Sequence, residues 1–154
     1  MSIDSLIPKI PIEKKFSKVG IVSDSASLSV KRRIIDNYKT LGIDLLDLGV
    51  FSEGDEIRLE HLAKKAVNAI KTNQAQRVFL VDLSGNGLQM YANKFDGIIA
   101  VYCHDAASAM EAALIHNAQM CNVSSTFDFK TLLTILRTFL EYSEPETPRG
   151  DLKG

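Results

Sequence analysis

The feature that most constrains this chain is a fivefold alternation of short apolar runs with amphipathic helical patterns. Residues 19–22, 43–48, 78–81, 98–101 and 120–123 read as strands. The third run, Val78-Phe79-Leu80-Val81, is almost purely apolar and is predicted to be central. Between the runs lie helical patterns. Val30, Ile34, Tyr38 and Leu41 share one face of a helix that follows Ser27 and stops at Gly42. Leu59, Leu62, Ala66, Val67 and Ile70 share another, and a short helix is predicted near 88–93. Asp105 is placed to cap an alanine-rich helix running to about His116. Ser125, with Asp128 three residues on, approximates a capping box for a last helix. That helix carries Phe129, Leu132, Leu133, Leu136, Phe139 and Leu140 on one face. Apolar strands joined by helices imply a parallel sheet covered on both faces. The expected fold is therefore α/β, a three-layer, doubly wound, five-stranded parallel sheet in a single Rossmann-like domain over residues 18–142. Residues 1–17, broken by Pro8 and Pro11, read as an arm or tail, and 143–154 as a C-terminal tail.

Charge narrows the function classes. The chain of 154 residues balances 18 basic against 19 acidic groups. A general nucleic-acid or anionic-membrane surface would need a basic excess. No apolar run approaches the roughly 18 residues that span a bilayer, and the N-terminus lacks the continuous apolar stretch of a signal peptide. Cys103 and Cys121 sit in apolar stretches without CxxC spacing, which suggests buried reduced thiols and a cytoplasmic location. His61, His104 and His116 have no companions at metal-ligand spacing, so neither metal nor cofactor is expected.

In doubly wound sheets, ligands sit at the carboxyl ends of the strands. Three polar clusters fall there: Ser23-Asp24-Ser25-Ala26-Ser27, Asp82-Leu83-Ser84-Gly85-Asn86-Gly87 and Cys103-His104-Asp105. The second is the most informative. Its G-x-G spacing permits a tight turn whose N–H groups form a nest for an anion or oxyanion. A plain turn in which Asp82 holds the loop backbone would use the same residues. A dinucleotide site would need G-x-G-x-x-G after the first strand, and that turn has no glycine. A phospho-receiver would need an acidic pair beside Asp24 and a lysine after the fifth strand, and neither is present.

The stretches SDSA (from Ser23), LGIDLLDLGVFSE (from Leu41), SGNGLQMYANK (from Ser84), GIIAVYCHDAASA (from Gly97), HNAQ (from His116) and RTFLE (from Arg137) occur in one order. In this order they resemble the ribose-5-phosphate isomerase B and galactose-6-phosphate isomerase family over roughly four-fifths of the chain. The resemblance implies interconversion of aldose and ketose sugar phosphates through a cis-enediolate. It implies at least a dimer, homodimer or tetramer, with sites built across the subunit interface. The run Asp82-x-x-Gly85-x-Gly87 is most similar to galactose-6-phosphate isomerase A-type subunits, where other members carry a cysteine base.

Residue by residue, the resemblance makes Asp82 the proton acceptor and assigns Ser84 and His116 to ring opening. Gly85, Asn86 and Gly87 would stabilise the enediolate. Asp24, Ser25, Leu83 and Asn117 would contact substrate. Where the family carries C-terminal phosphate-binding arginines, this chain keeps only Arg149. That loss frames an alternative: a weakly active or inactive paralogue that partners a B-type subunit in a hetero-oligomer.

Overall fold

The computed structural model describes residues 11–144. Residues 1–10 and 145–154, Arg149 among them, lie outside the described residues. Elements follow in the order α1 (Ile12–Lys15), β1 (Val19–Ser23), α2 (Leu28–Thr40), β2 (Leu46–Asp47), α3 (Leu59–Lys71) and β3 (Arg77–Asp82). Then come α4 (Gly87–Ala92), β4 (Ala100–Tyr102), α5 (Ala106–Leu114), β5 (Met120–Ser124) and α6 (Phe129–Tyr142). The five strands form one parallel sheet in the order β2-β1-β3-β5-β4. The all-parallel α/β domain is the one expected, and β3, the most apolar strand, is at its centre. All six β3 residues are buried, because helices cover both faces.

Alternation along the strands divides the core in two. Ile21, Phe79, Val81, Cys121 and Val123 face α6, with Leu132, Ile135, Leu136 and Phe139. Val22, Val78, Leu80 and Met120 face α3, with Leu62, Ala66 and Val67. The first face also packs Ile34 and Tyr38 of α2 and Ala109 and Ala112 of α5, and the second Leu88 and Ala92 of α4, so each face buries the apolar stripes of several helices.

Several local expectations change. Among the described residues regular structure starts at Ile12 rather than Val19: Pro11 precedes one helical turn, and Ile12 and the following Phe16 are buried. One turn is too short to show a period, so the sequence pattern could not reveal it. On α2 the inward residues are Leu28, Lys31, Ile34 and Tyr38, whereas Leu41 is exposed. A lysine thus occupies a core position that no apolar periodicity marks. Ser27 makes no side-chain cap. Asp24 instead caps a short 3-10 turn over Ser25–Ser27 that leads into α2.

The two edge strands are shorter than their apolar runs. At β2 the backbone continues beside β1 through Leu48, Gly49 and Val50, which bond Ile21 and Ser23. At β4, side chains replace backbone ladder partners. Asn93 bonds both the N–H and the C=O of Ala100, and Gln119 takes the Ile99 N–H and the Gly97 C=O. The last helix is capped by Asp128, not Ser125. Ser125 is otherwise engaged, its N–H by the Asp82 carbonyl and its hydroxyl by Ser27.

Cys103 and Cys121 are free and buried. Burial, with the Cys103 thiol alongside, pushes the Cys121 thiol up. Among the described residues no helix is long and apolar enough to cross a membrane.

Candidate active site

β1, β3 and β5 run parallel, so Asp24, the glycine loop and the Ser124-Ser125-Thr126 turn emerge at one sheet edge. Asp24 joins two of them. Its Oδ1 accepts the Ser27 N–H at 3.0 Å, and its Oδ2 accepts the Leu83 N–H at 3.2 Å. Ser25 and Leu83 stand exposed on either side of that bridge, Leu83 at 56%. Three of the expected substrate contacts therefore lie together. A carboxylate beside solvent-facing groups suits the hydroxyls of a sugar.

Asp82 closes β3 and is 1% exposed. Its Oδ1 accepts the Gly85 N–H and the Ser84 hydroxyl, the latter at 3.1 Å. Its Oδ2 accepts the Leu88 N–H at 2.8 Å and lies 3.5 Å from the Asn122 amide nitrogen. Asn122, buried mid-strand in β5, also donates to the Leu80 carbonyl and accepts the Gln89 N–H at 2.8 Å. Sequence reading missed Asn122. The available signal was an amide inside the apolar run Met120–Ser124, because a buried amide must find partners.

Gly85 turns the loop with φ +86. A Cβ there would come within 2.7 Å of the Tyr102 ring and 3.0 Å of Ser124 Cβ, so both the conformation and the space require glycine. Ser84 Oγ accepts the Asn86 N–H at 3.2 Å and the Gly87 N–H at 3.0 Å. All four N–H groups from Gly85 to Leu88 thus point inward, as an anion nest requires, but they donate to the chain's own Asp82 and Ser84. This corrects the expectation of an open cradle. The plain reading, Asp82 holding the loop backbone, describes the geometry, and a substrate oxygen reaches the Asn86 and Gly87 donors only by displacing the Ser84 hydroxyl.

His116 and Asn117 are not brought to this place. Asp105 caps α5 at the carboxyl edge, with its carboxyl held below the usual range by the Ser108 N–H and then the Ser108 hydroxyl. The helix then runs back along the sheet. His116, exposed, and Asn117, at φ +50, follow its far end, just before β5 begins. They sit at the amino edge, roughly 15 Å from Asp82 across a five-residue strand. Within one chain the two halves of the expected site cannot meet.

The loop after β2 borders the same carboxyl edge and carries residues that sequence reading missed. Lys31, wholly buried, donates to Asp47 Oδ1 at 2.6 Å and to the Val50 carbonyl. Burial pulls its ammonium below the ordinary lysine value, against the opposing pull of Asp47. Arg32 donates to the next carbonyl, Phe51, at 2.9 Å. Two consecutive α2 cations thus hold two consecutive loop carbonyls beside Ser23 and Asp24. Among the described residues no group of three or more His, Cys, Asp or Glu side chains is placed to hold a metal.

Comparison with known proteins bears on the family and the fold. The family model described as Ribose/Galactose Isomerase matches residues 19–150. A D-erythrulose-4-phosphate isomerase of Pectobacterium atrosepticum is 33% identical over 102 residues, covering 66% of this chain and 67% of its own. A ribose-5-P isomerase B of Listeria innocua is 28% identical over 125 residues, covering 80% and 84%. The crystal structure of a ribose 5-phosphate isomerase from Thermotoga maritima superposes with a TM-score of 0.77 at 27% identity, covering 88% and 94%. The chain belongs to the ribose/galactose isomerase family.

Proposed function

We propose that this protein interconverts an aldose and a ketose sugar phosphate through a cis-enediolate. The observation that carries this reading is the Asp82–Ser84–glycine-loop network, set at the end of the central strand and bridged to Asp24. Rotation of Ser84 about its Cα–Cβ bond would do two things at once. It would release the Asn86 and Gly87 N–H groups to the enediolate oxygen, and it would vacate one lone pair of Asp82 Oδ1, which keeps the Gly85 N–H, for the proton that moves between the two carbons. The rotated Ser84 hydroxyl would serve ring opening, and Asp24 would hold substrate hydroxyls. His116 and Asn117 would come from a second copy of the chain, which makes the working unit at least a homodimer. The Asp82-x-x-Gly85-x-Gly87 run supports a reading nearest in kind to galactose-6-phosphate A-type subunits, and sugar-phosphate metabolism in the cytoplasm would be its setting.

The test is turnover by the purified full chain on D-ribose 5-phosphate, D-galactose 6-phosphate and D-erythrulose 4-phosphate. Isomerisation of at least one of them is expected. Loss of that turnover in Asp82→Asn is also expected, and unchanged turnover in this variant would overturn the role of Asp82. A folded chain silent on all three sugars would overturn the function.

A further inference from the structure

A groove of about 390 Å³ lies between α3 and α4, away from the glycine loop, lined by Glu60, His61, Lys64, Tyr91, Lys94 and Phe95. That volume lies in the range of small-molecule sites. Its charge is one-sided. Glu60, the sole acid of the lining, is bound by Arg58 at 2.7 Å. Lys64 and Lys94 make no ion pair among the described residues. Lys94 lies 5.1 Å over the Tyr91 ring, and Lys71, just outside the groove, lies 5.9 Å over the Phe95 ring. Two ammonium groups therefore lie over two part-exposed aromatic rings, Lys64 lines the same groove, and His61 adds an imidazole. Ammonium groups attract an anion as point charges, and aromatic faces suit the apolar C–H face of a sugar.

We propose that this groove binds a small phosphomonoester, at a site separate from the glycine loop. Lys64 and Lys94 hold the phosphoryl group, His61 donates to it, and Tyr91 and Phe95 carry the organic part. The groove also touches the catalytic loop mechanically. Leu59, which opens α3, lies 3.0 Å from where a Gly87 side chain would begin, and Gly87 opens α4. A ligand that draws α3 and α4 together bears on the loop whose N–H groups Ser84 holds.

The site is read by binding, which keeps its outcome independent of whether the protein is an isomerase. Inorganic phosphate, and separately D-ribose 5-phosphate, is titrated into the full chain at low salt while the imidazole resonances of His61 and His104 are followed. His61 is expected to shift saturably with both probes. His104, exposed at the carboxyl edge, reports ligand at the candidate active site. In Lys64→Ala/Lys94→Ala the apparent affinity at His61 is expected to fall at least tenfold, with the His104 response retained. Lys18→Ala/Lys39→Ala, two lysines outside the groove, controls for general charge loss. A His61 resonance unmoved by phosphate, or moved equally in both double variants, would overturn the proposal. A His61 shift with inorganic phosphate but none with the sugar phosphate would overturn its organic half.

Discussion

Lys31 Nζ, with no exposed surface, donates to Asp47 Oδ1 at 2.6 Å, while Asp47 keeps 33% of its side chain in solvent. The pair is asymmetric, and so are the expected losses. Asp47→Ala leaves a buried ammonium without its carboxylate and should cost about 3 kcal/mol. Lys31→Met removes the charge itself, keeps most of the volume and leaves the Val50 carbonyl short of a donor, while Asp47 keeps the Gly49 N–H and its contact with solvent. It should cost less than about 1.5 kcal/mol. Urea unfolding of both variants checks this, and equal losses would contradict it.

Gly85 and Gly42 share a left-handed backbone, with φ +86 and +82, but only Gly85 is crowded. Gly42→Ala should cost about 1 kcal/mol, the conformational part alone. Gly85→Ala adds the collision with Tyr102 and Ser124 and should cost roughly 3 kcal/mol. It should also disturb the loop that Asp82 holds. Thermal denaturation of the pair separates strain from crowding.

The role proposed for Ser84 separates ring opening from the proton shuttle. Ribose 5-phosphate and galactose 6-phosphate close into rings, whereas a four-carbon 4-phosphate has its terminal hydroxyl esterified and stays open. Ser84→Ala should lower kcat on the cyclic sugars at least about tenfold. On D-erythrulose 4-phosphate kcat should hold within about twofold, with KM lowered because the Asn86 and Gly87 N–H groups lose their internal acceptor. Equal kcat losses on both classes would remove the ring-opening role.

Because Asp82 and His116 lie at opposite edges of one chain, two inactive variants should complement. Asp82→Asn and His116→Ala, each silent alone, should regain partial turnover after mixing under subunit exchange. Silence of the mixture, with exchange verified by mass, would argue against a site shared between copies.

The α5 cap predicts a pH response. The Asp105 carboxyl is held below the ordinary 3.8 by the Ser108 N–H and hydroxyl, so the folded state favours its ionised form. That contribution is complete above the unfolded value and is lost as pH falls through the lower folded value. Asp105→Asn retains an oxygen acceptor but no titration. Its stability relative to the parent should therefore be poorest near neutrality and recover as pH drops below 3.8. A pH-independent difference between the two would refute the cap's titration.

Five alternations of strand and helix were enough, by themselves, to determine the parallel α/β sheet, the central place of residues 78–81 and the edge at which to look for a site. Those features follow from periodicity, which is local along the chain. Asp24 and the glycine loop were legible for the same reason, since each immediately follows a strand. What lay beyond the sequence depends on which atoms meet across the fold. Lys31 reads as a surface lysine until Asp47 and the Val50 carbonyl close on it. Asn122 is a stray amide in an apolar strand until Asp82, Leu80 and Gln89 surround it. The glycine loop promised free N–H groups, and only the tertiary structure assigned them to Asp82 and Ser84. His116 stands 34 residues after Asp82 in sequence, and the return path of α5 carries it to the far edge of the sheet. A hydrogen bond has a direction and a partner, and neither is encoded in residue spacing, so the pattern of the chain determined the scaffold and the packed structure decided how its polar groups are used.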